Sequence, residues 1–286
     1  MTSSAGAPLV PDGPAPELRF KRRAQLRQAP GEVWRARALV RTLAERELRA
    51  FYKQAALGVA WALLAPITLM IVFTVFIQRV ATVDTGGVPY ALFTYIGLVP
   101  WNFFSQSVTS GGMSLVTQMT LVNKLKCPRE VFPLSSITVA AVNSFIAGLV
   151  LIVLFAISGF APKFTTPLAI VPLGVQVLFT IAVTLIVSAT TVYMRDLRHA
   201  LPLLLQLGLF ATPIVYGLDA IPPNWRPWYS LVNPLAPIID SYRQTVLYGH
   251  APDWGLLGLG TLTTMVLLVA GLQLFRRLET GFADVA

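Results

Sequence analysis

Few side chains in this chain could do chemistry alone, and they stand where they cannot cooperate. His199 and His250 are the two histidines. By the topology argued below they lie near opposite membrane faces, so neither a catalytic pair nor a metal pair is expected. His199 reads as a solvated helix-end residue. Cys127 is the single cysteine, which excludes an internal disulfide and a Cys-based zinc site. Asp84, Asp219, Asp240 and Asp253 are dispersed, with no DxD spacing. No lysine follows a glycine, so there is no phosphate loop of the G-x-x-x-x-G-K type. The residues that do cluster are basic or aromatic. Arg41, Arg46, Arg49 and Lys53 surround Tyr52, and such charges can pair with anionic groups as point charges or forks. Lys124, Lys126, Arg129 and Glu130 form a compact charged group closed by Pro128. Tyr216, Trp225, Trp228 and Tyr229 gather late in the chain, and aromatic faces make broad apolar contacts with few directional bonds.

The elements that must position them follow from the spacing of charge. Of 286 residues, 55% are apolar and 12% charged, with mean hydropathy +0.66. Soluble domains average about 25% charged residues, so an ordinary soluble enzyme is excluded. Six long uncharged runs stand out: 54–78, 85–123, 131–162, 164–194, 199–218 and 254–275. A membrane-crossing helix needs about 20 apolar residues, so each holds one span. The run 85–123 is the ambiguous one. Its tail carries Ser114, Thr117, Gln118, Thr120 and Asn123, and Gly111-Gly112 interrupt the pattern. One span is therefore placed at about 90–110. An amphipathic helix with Leu115, Val116, Met119 and Val122 on one face should follow it. The fold class expected is an all-α integral membrane protein of six transmembrane helices. The first begins too late for a cleaved signal peptide.

Lys and Arg number 18 on the side that holds both termini and 4 on the other. The positive-inside rule makes both termini cytoplasmic, in the cytoplasmic membrane of the cell. The net charge of +9 then lies on the inner face, where insertion alone would put it. No nucleic-acid partner is expected.

The domain plan has four parts. Residues 1–32, with five prolines, read as a disordered cytoplasmic tail. Residues 33–56 read as an amphipathic interface helix. Val33, Ala36, Val40, Leu43, Ala44, Leu48, Phe51 and Ala55 share one face; Arg37 and Glu47 break the pattern. A charged flank that only sets topology is the alternative. Residues 57–276 form the six-span domain, with a cytoplasmic coupling segment at 113–130. Residues 277–286 are a cytoplasmic tail. Between spans 5 and 6, Pro222, Pro223, Pro227, Pro234 and Pro237 interrupt residues 217–250. The apolar stretches 227–239 and 244–252 are too short to cross. They can dip in and return where protein surrounds their backbone, or they form an interfacial aromatic belt.

Longer strings carry a family resemblance. Span 1 reads Tyr52-Lys-Gln-Ala-Ala-Leu-Gly-Val-Ala-Trp61-Ala-Leu-Leu-Ala-Pro66, then Phe73-Thr-Val-Phe76. Next come Pro89-Tyr90-Ala-Leu-Phe93-Thr-Tyr95-Ile-Gly97-Leu-Val-Pro100-Trp101-Asn-Phe103-Phe104 and Asn123-Lys-Leu-Lys-Cys-Pro128-Arg129-Glu130. Arg195-Asp196, Thr212-Pro213-Ile-Val-Tyr216, Ile221-Pro222-Pro-Asn-Trp225-Arg226 and Asn233-Pro234 complete the series. In this order, over residues 45–250, the chain resembles the permease subunits of type-2 ABC exporters of polysaccharides. That family exports O-antigen, teichoic acid or cell-wall galactan on a polyprenyl lipid. The resemblance implies a homodimer with the pathway between two copies, and two copies of a separate ATPase subunit that hold ATP and Mg. It implies no cofactor and no metal on this chain, and short re-entrant helices at the outer mouth. It assigns ATPase coupling to Lys124, Lys126, Arg129, Glu130, Arg195 and Asp196. Lipid head-group access falls to Arg41, Arg46, Arg49, Tyr52 and Lys53. Phe73, Phe76, Trp101, Phe103 and Phe104 are glycan-pathway candidates in the spans; Tyr216, Trp225, Trp228 and Tyr229 are candidates for the outer gate. For any one span aromatic, lipid or core packing competes with that role. Cys127 stands where the family more often has an aromatic residue. With the chain ending at Ala286, no appended carbohydrate-binding domain is expected.

Other readings stay open on the residues alone: a drug or lipid exporter of similar topology, a membrane enzyme of polyprenyl-linked glycan synthesis, or a scaffold. The missing carboxylate cluster speaks against the enzyme. From the missing phosphate loop, the purified chain should show no ATP turnover without a partner. A phosphate-release assay on protein free of contaminating ATPase checks this; turnover by the lone chain would refute it.

Overall fold

The computed structural model describes residues 31, 34–53, 60–77, 83–125, 127–279 and 281–282. The expected disordered tail falls almost wholly outside them, as does Lys126. The described residues contain helices and turns and no strand.

Ten helices are named here. They are α1 Arg37–Lys53, α2 Ala60–Val72, α3 Tyr90–Thr117, α4 Met119–Lys124 and α5 Val131–Ser158. Then come α6 Ile170–Tyr193, α7 Leu197–Ala211, α8 Arg226–Val232, α9 Leu235–Arg243 and α10 Trp254–Glu279. Among the described residues, three segments are long and apolar enough to cross a membrane: Val131–Ser158, Thr166–Tyr193 and Trp254–Glu279. Ala62–Phe76 and Leu197–Ala211 are shorter apolar helices. At 7 and 9 residues, α8 and α9 are each only about 10–14 Å long and cannot span.

The hub is α3. Most of its residues are buried, and it packs on α2, α5, α6, α7 and α9. Here the structure corrects the sequence reading. Gly111-Gly112 do not end the helix, and no separate amphipathic helix begins at residue 113. The helix runs unbroken to Thr117, and only the short α4 follows. The glycines serve close packing. A Cβ on Gly111 would lie 2.4 Å from Thr184 Cγ2 and 3.3 Å from the Pro133 carbonyl. One on Gly112 would lie 2.6 Å from Val187 Cγ1. Small residues let helices approach where bulk would hold them apart.

Two large apolar clusters fill most of the bundle, beside a small third of Phe103, Ile137 and Ala140. The first joins Phe93, Tyr95, Leu98, Trp101, Phe104, Phe179, Ile214 and Ile238 at the end that holds α8 and α9. The second joins Leu43 of α1 to Leu115, Phe132, Leu185, Phe275 and Phe282 at the opposite end. Outward faces are apolar too: Phe145, Ile152 and Ile157 on α5, Leu203, Leu207 and Phe210 on α7, Leu262 and Val266 on α10 are exposed. That is the surface a helix presents to lipid tails.

Gly111→Ala should lower stability by about 1–3 kcal/mol through overpacking. Thr184→Ser, which removes the opposing methyl, should restore part of it. Thermal unfolding of the single and double variants in detergent is the check.

Candidate functional site

After α7 the chain stops being helical and runs 212–217 as irregular backbone. Carbonyls freed there need donors, since a buried unpaired carbonyl costs free energy comparable to a lost hydrogen bond. Side chains supply them. Arg243, at the end of α9 and 1% exposed, sends Nη1 to the Pro213 carbonyl at 2.7 Å and the Tyr216 carbonyl at 3.0 Å. Its Nη2 donates to the Ile214 carbonyl at 2.5 Å, and the Tyr90 hydroxyl donates to the Val215 carbonyl at 3.0 Å. Four consecutive carbonyls, 213–216, are thus taken by two side chains. The last carbonyls of α7 are met the same way. Tyr216 donates to the Phe210 carbonyl at 3.2 Å, and Tyr229 donates to that of Ala211. Asn233 Nδ2 bonds Thr212 Oγ1 at 3.0 Å.

The pair α8–α9 is therefore fastened to the end of α7. It is also fastened sideways. Gln176 of α6 donates to the Pro100 carbonyl at 2.8 Å and accepts from the Tyr242 hydroxyl at 2.8 Å. Thr263 of α10 donates to the Leu231 carbonyl at 3.0 Å. Arg226 binds the carbonyls of Ile221 and Asp219 and lies 3.3 Å from the Asp219 carboxylate. What these bonds leave outside is an apolar edge: Trp225, Trp228 and Val232 are exposed, at 66%, 65% and 85%.

At the opposite end α1 packs along α5. Tyr52 donates to Asn143, Ser136 donates to the Glu47 carboxylate at 3.3 Å, and Arg46 Nη2 meets Gln118 Oε1 at 2.8 Å. Glu47, which breaks the amphipathic pattern, turns inward to α5. Burial raises its carboxyl above the ordinary 4.5, against the opposing effects of the Ser136 bond and Arg46. Arg41, Arg49 and Lys53 stay exposed, with Glu45 set 2.8 Å from Arg41 and 3.7 Å from Arg49. Exposed pairs of this kind are worth little.

The loop between α4 and α5 is held by the chain's last helix. Glu130, 2% exposed, pairs with Arg276 at 3.3 Å. Arg129 donates to the Glu279 carbonyl at 2.6 Å and lies over the Phe282 ring at 5.4 Å. Phe282 is buried among Phe275 and Tyr193. So the expected tail 277–286 is a helix end and a fold-back as far as residue 282, because Phe282 has an apolar site to fill. Burial pushes the Cys127 thiol up. Lys124, Arg195 and Asp196 remain exposed beside this closure.

Comparison with known proteins gives this geometry a family. Residues 38–247 match the ABC-2 type transporter family. This chain is an ABC-2 type transporter. The O-antigen export system permease protein RfbA of Myxococcus xanthus is 32% identical over 256 residues, 88% of this chain and 97% of the relative. RfbA of Klebsiella pneumoniae is 28% identical over 248 residues, covering 86% and 94%. The polysialic acid transport protein KpsM of Escherichia coli is 26% identical over 254 residues, covering 84% and 93%. The resemblance read in the sequence is thereby upheld.

Within this ABC-2 transporter the site residues sort by exposure. Trp101, Phe103 and Phe104 are buried inside the protomer. Trp101 lies 5.7 Å from Phe104, which stacks on Phe179 at 5.3 Å. They pack the core and offer no face to a passing chain in this arrangement. Phe73 is also buried, edge-on to Phe210 at 6.3 Å, whereas Phe76 is exposed. Tyr216 and Tyr229 converge on the end of α7. Arg129 and Glu130 point into the protein, apart from Lys124, Arg195 and Asp196. Sequence reading missed Arg243, Gln176 and Asn143. The signal for the first was an Asp240–Arg243 spacing of one helical turn inside an apolar stretch.

A buried ion pair loses its mutual attraction when either partner is changed. Glu130→Gln or Arg276→Met should each cost about 3 kcal/mol, and the two together less than the sum. Tryptophan-detected unfolding of the four proteins measures the coupling.

Proposed function

We propose that this chain is the membrane permease of an ATP-driven exporter that moves a polyprenyl-pyrophosphate-linked polysaccharide from the cytoplasm across the inner membrane. The similarity to O-antigen export permeases over nearly their whole length carries the reading. In it, α2, α3, α5, α6, α7 and α10 cross the bilayer, both termini are cytoplasmic, and α8–α9 sit at the outer mouth. Two copies pair with two ATPase subunits, which hold ATP and Mg.

The exposed residues take the external roles. Lys124, Arg195 and Asp196 meet the ATPase, together with Lys126, which lies outside the described residues. Arg129 and Glu130 act behind them, bracing the loop against α10 so that it moves as a solid piece. Arg41, Arg49 and Lys53 face the inner leaflet and draw the pyrophosphate head group, as basic residues do near anionic lipid. Arg46 and Tyr52 hold α1 on the bundle. Trp225, Trp228 and the exposed Phe76 touch the glycan. A neutral chain that must slide needs many weak contacts, which aromatic faces provide with few directional bonds.

Deleting the gene should abolish surface polysaccharide and leave lipid-linked glycan inside. Restoration should require the wild-type chain together with a catalytically competent ATPase. Trp225→Ala with Trp228→Ala should cut export several-fold while partner-dependent ATP turnover persists. Immunoblots of surface glycan, extracted lipid-linked glycan and phosphate release are the readouts. Normal surface glycan with altered drug tolerance in the deletion strain would instead support the drug-exporter reading.

A further inference from the structure

Arg243 stands apart from every role assigned so far. It touches no exposed surface, and it donates to four main-chain carbonyls: those of Pro213, Ile214, Tyr216 and, more weakly, Phe93 at 3.4 Å. Its guanidinium also lies over the Phe93 ring at 3.7 Å. Asp240, one turn earlier, supplies opposite charge. A planar fork with five donors suits such a set; an ammonium is a point charge and cannot bridge it. The helix opposite is shaped to it. A Cβ on Gly97 of α3 would come within 3.0 Å of Arg243 Nη2.

Three elements therefore meet at one side chain: the irregular stretch after α7, the short helix α9, and α3. Through its other end α3 leads to α4. We propose that Arg243 is a positioning residue that locks residues 213–216 and α9 onto α3, so that the outer mouth opens only when α3 shifts. Tyr242, its neighbour, reaches the Pro100 carbonyl through Gln176 and adds a second tie to the same helix. The inference rests on the reading of α8–α9 as the outer mouth. The first measurement below does not depend on the substrate, so its failure is distinct from failure of that reading.

Val215, 6% exposed, is the reporter. Val215→Cys in a Cys127→Ser background, purified in detergent, should react slowly with a hydrophilic maleimide. Adding Arg243→Lys keeps the charge and loses the fork; release of one or two net hydrogen bonds should speed labelling about tenfold. The same variant should keep partner association and ATP turnover while export falls, because closure is uncoupled from α3. Gly97→Ala presses on the guanidinium from the other side and should raise labelling in the same direction. It serves also where Arg243→Lys fails to accumulate. Unchanged labelling in the variants that accumulate overturns the proposal. So does faster labelling accompanied by loss of partner association, which would mark Arg243 as a general prop of the fold.

Discussion

A main-chain carbonyl buried away from water must find a donor, and the far end of this bundle is organised around that requirement. Where α7 ends, its last carbonyls and the four that follow would be orphans. Tyr216, Tyr229, Arg243 and Tyr90 answer them. Non-helical backbone is tolerated at membrane depth only where protein encloses it. Here the enclosure comes from the short helices themselves. The bonds that make the break in α7 tolerable are the bonds that place α8 and α9. Both the irregular stretch and the helix pair depend on the same few side chains.

The opposite end solves a different problem with similar means. Buried charge is tolerable when paired, and Glu130 with Arg276 meets that condition. Once Glu130 and Arg129 face inward, their neighbours Lys124, Arg195 and Asp196 remain for the outside. Charges grouped together in the sequence reading thus divide into a brace and an exposed set. In α1, Glu47, Arg46 and Tyr52 bond across to other helices and the turn after α3, whereas Arg41 and Arg49 pair with Glu45 of the same helix and, with Lys53, are exposed.

Much of this architecture was readable in one dimension. Charges avoid hydrocarbon, so the gaps between them outline the apolar helices. Short apolar stretches between prolines marked α8 and α9 as too brief to cross. Gly111-Gly112 misled, because a pair of glycines looks the same whether it breaks a helix or lets another approach. Tertiary packing against Thr184 decided it. For Arg243 the spacing from Asp240 was visible but the role was not, for another reason. Its acceptors are main-chain atoms 27 to 30 residues away and, for Phe93, 150 residues away, and main-chain atoms leave no mark on residue type. Glu47 looked like an error in an amphipathic helix until its partner, 89 residues later, came beside it.

The closure between the fourth helix's loop and the tenth helix also has a bearing on biogenesis. Arg276 and Glu279 follow the loop they brace by 146 and 150 residues, so they are made long after it. Until they arrive, Arg129 and Glu130 lack these partners, and the loop that should present a firm face is unsupported. A nascent copy that has not yet made α10 therefore differs, at the loop between α4 and α5, from one that has: the loop gains its brace from a helix synthesised long after it.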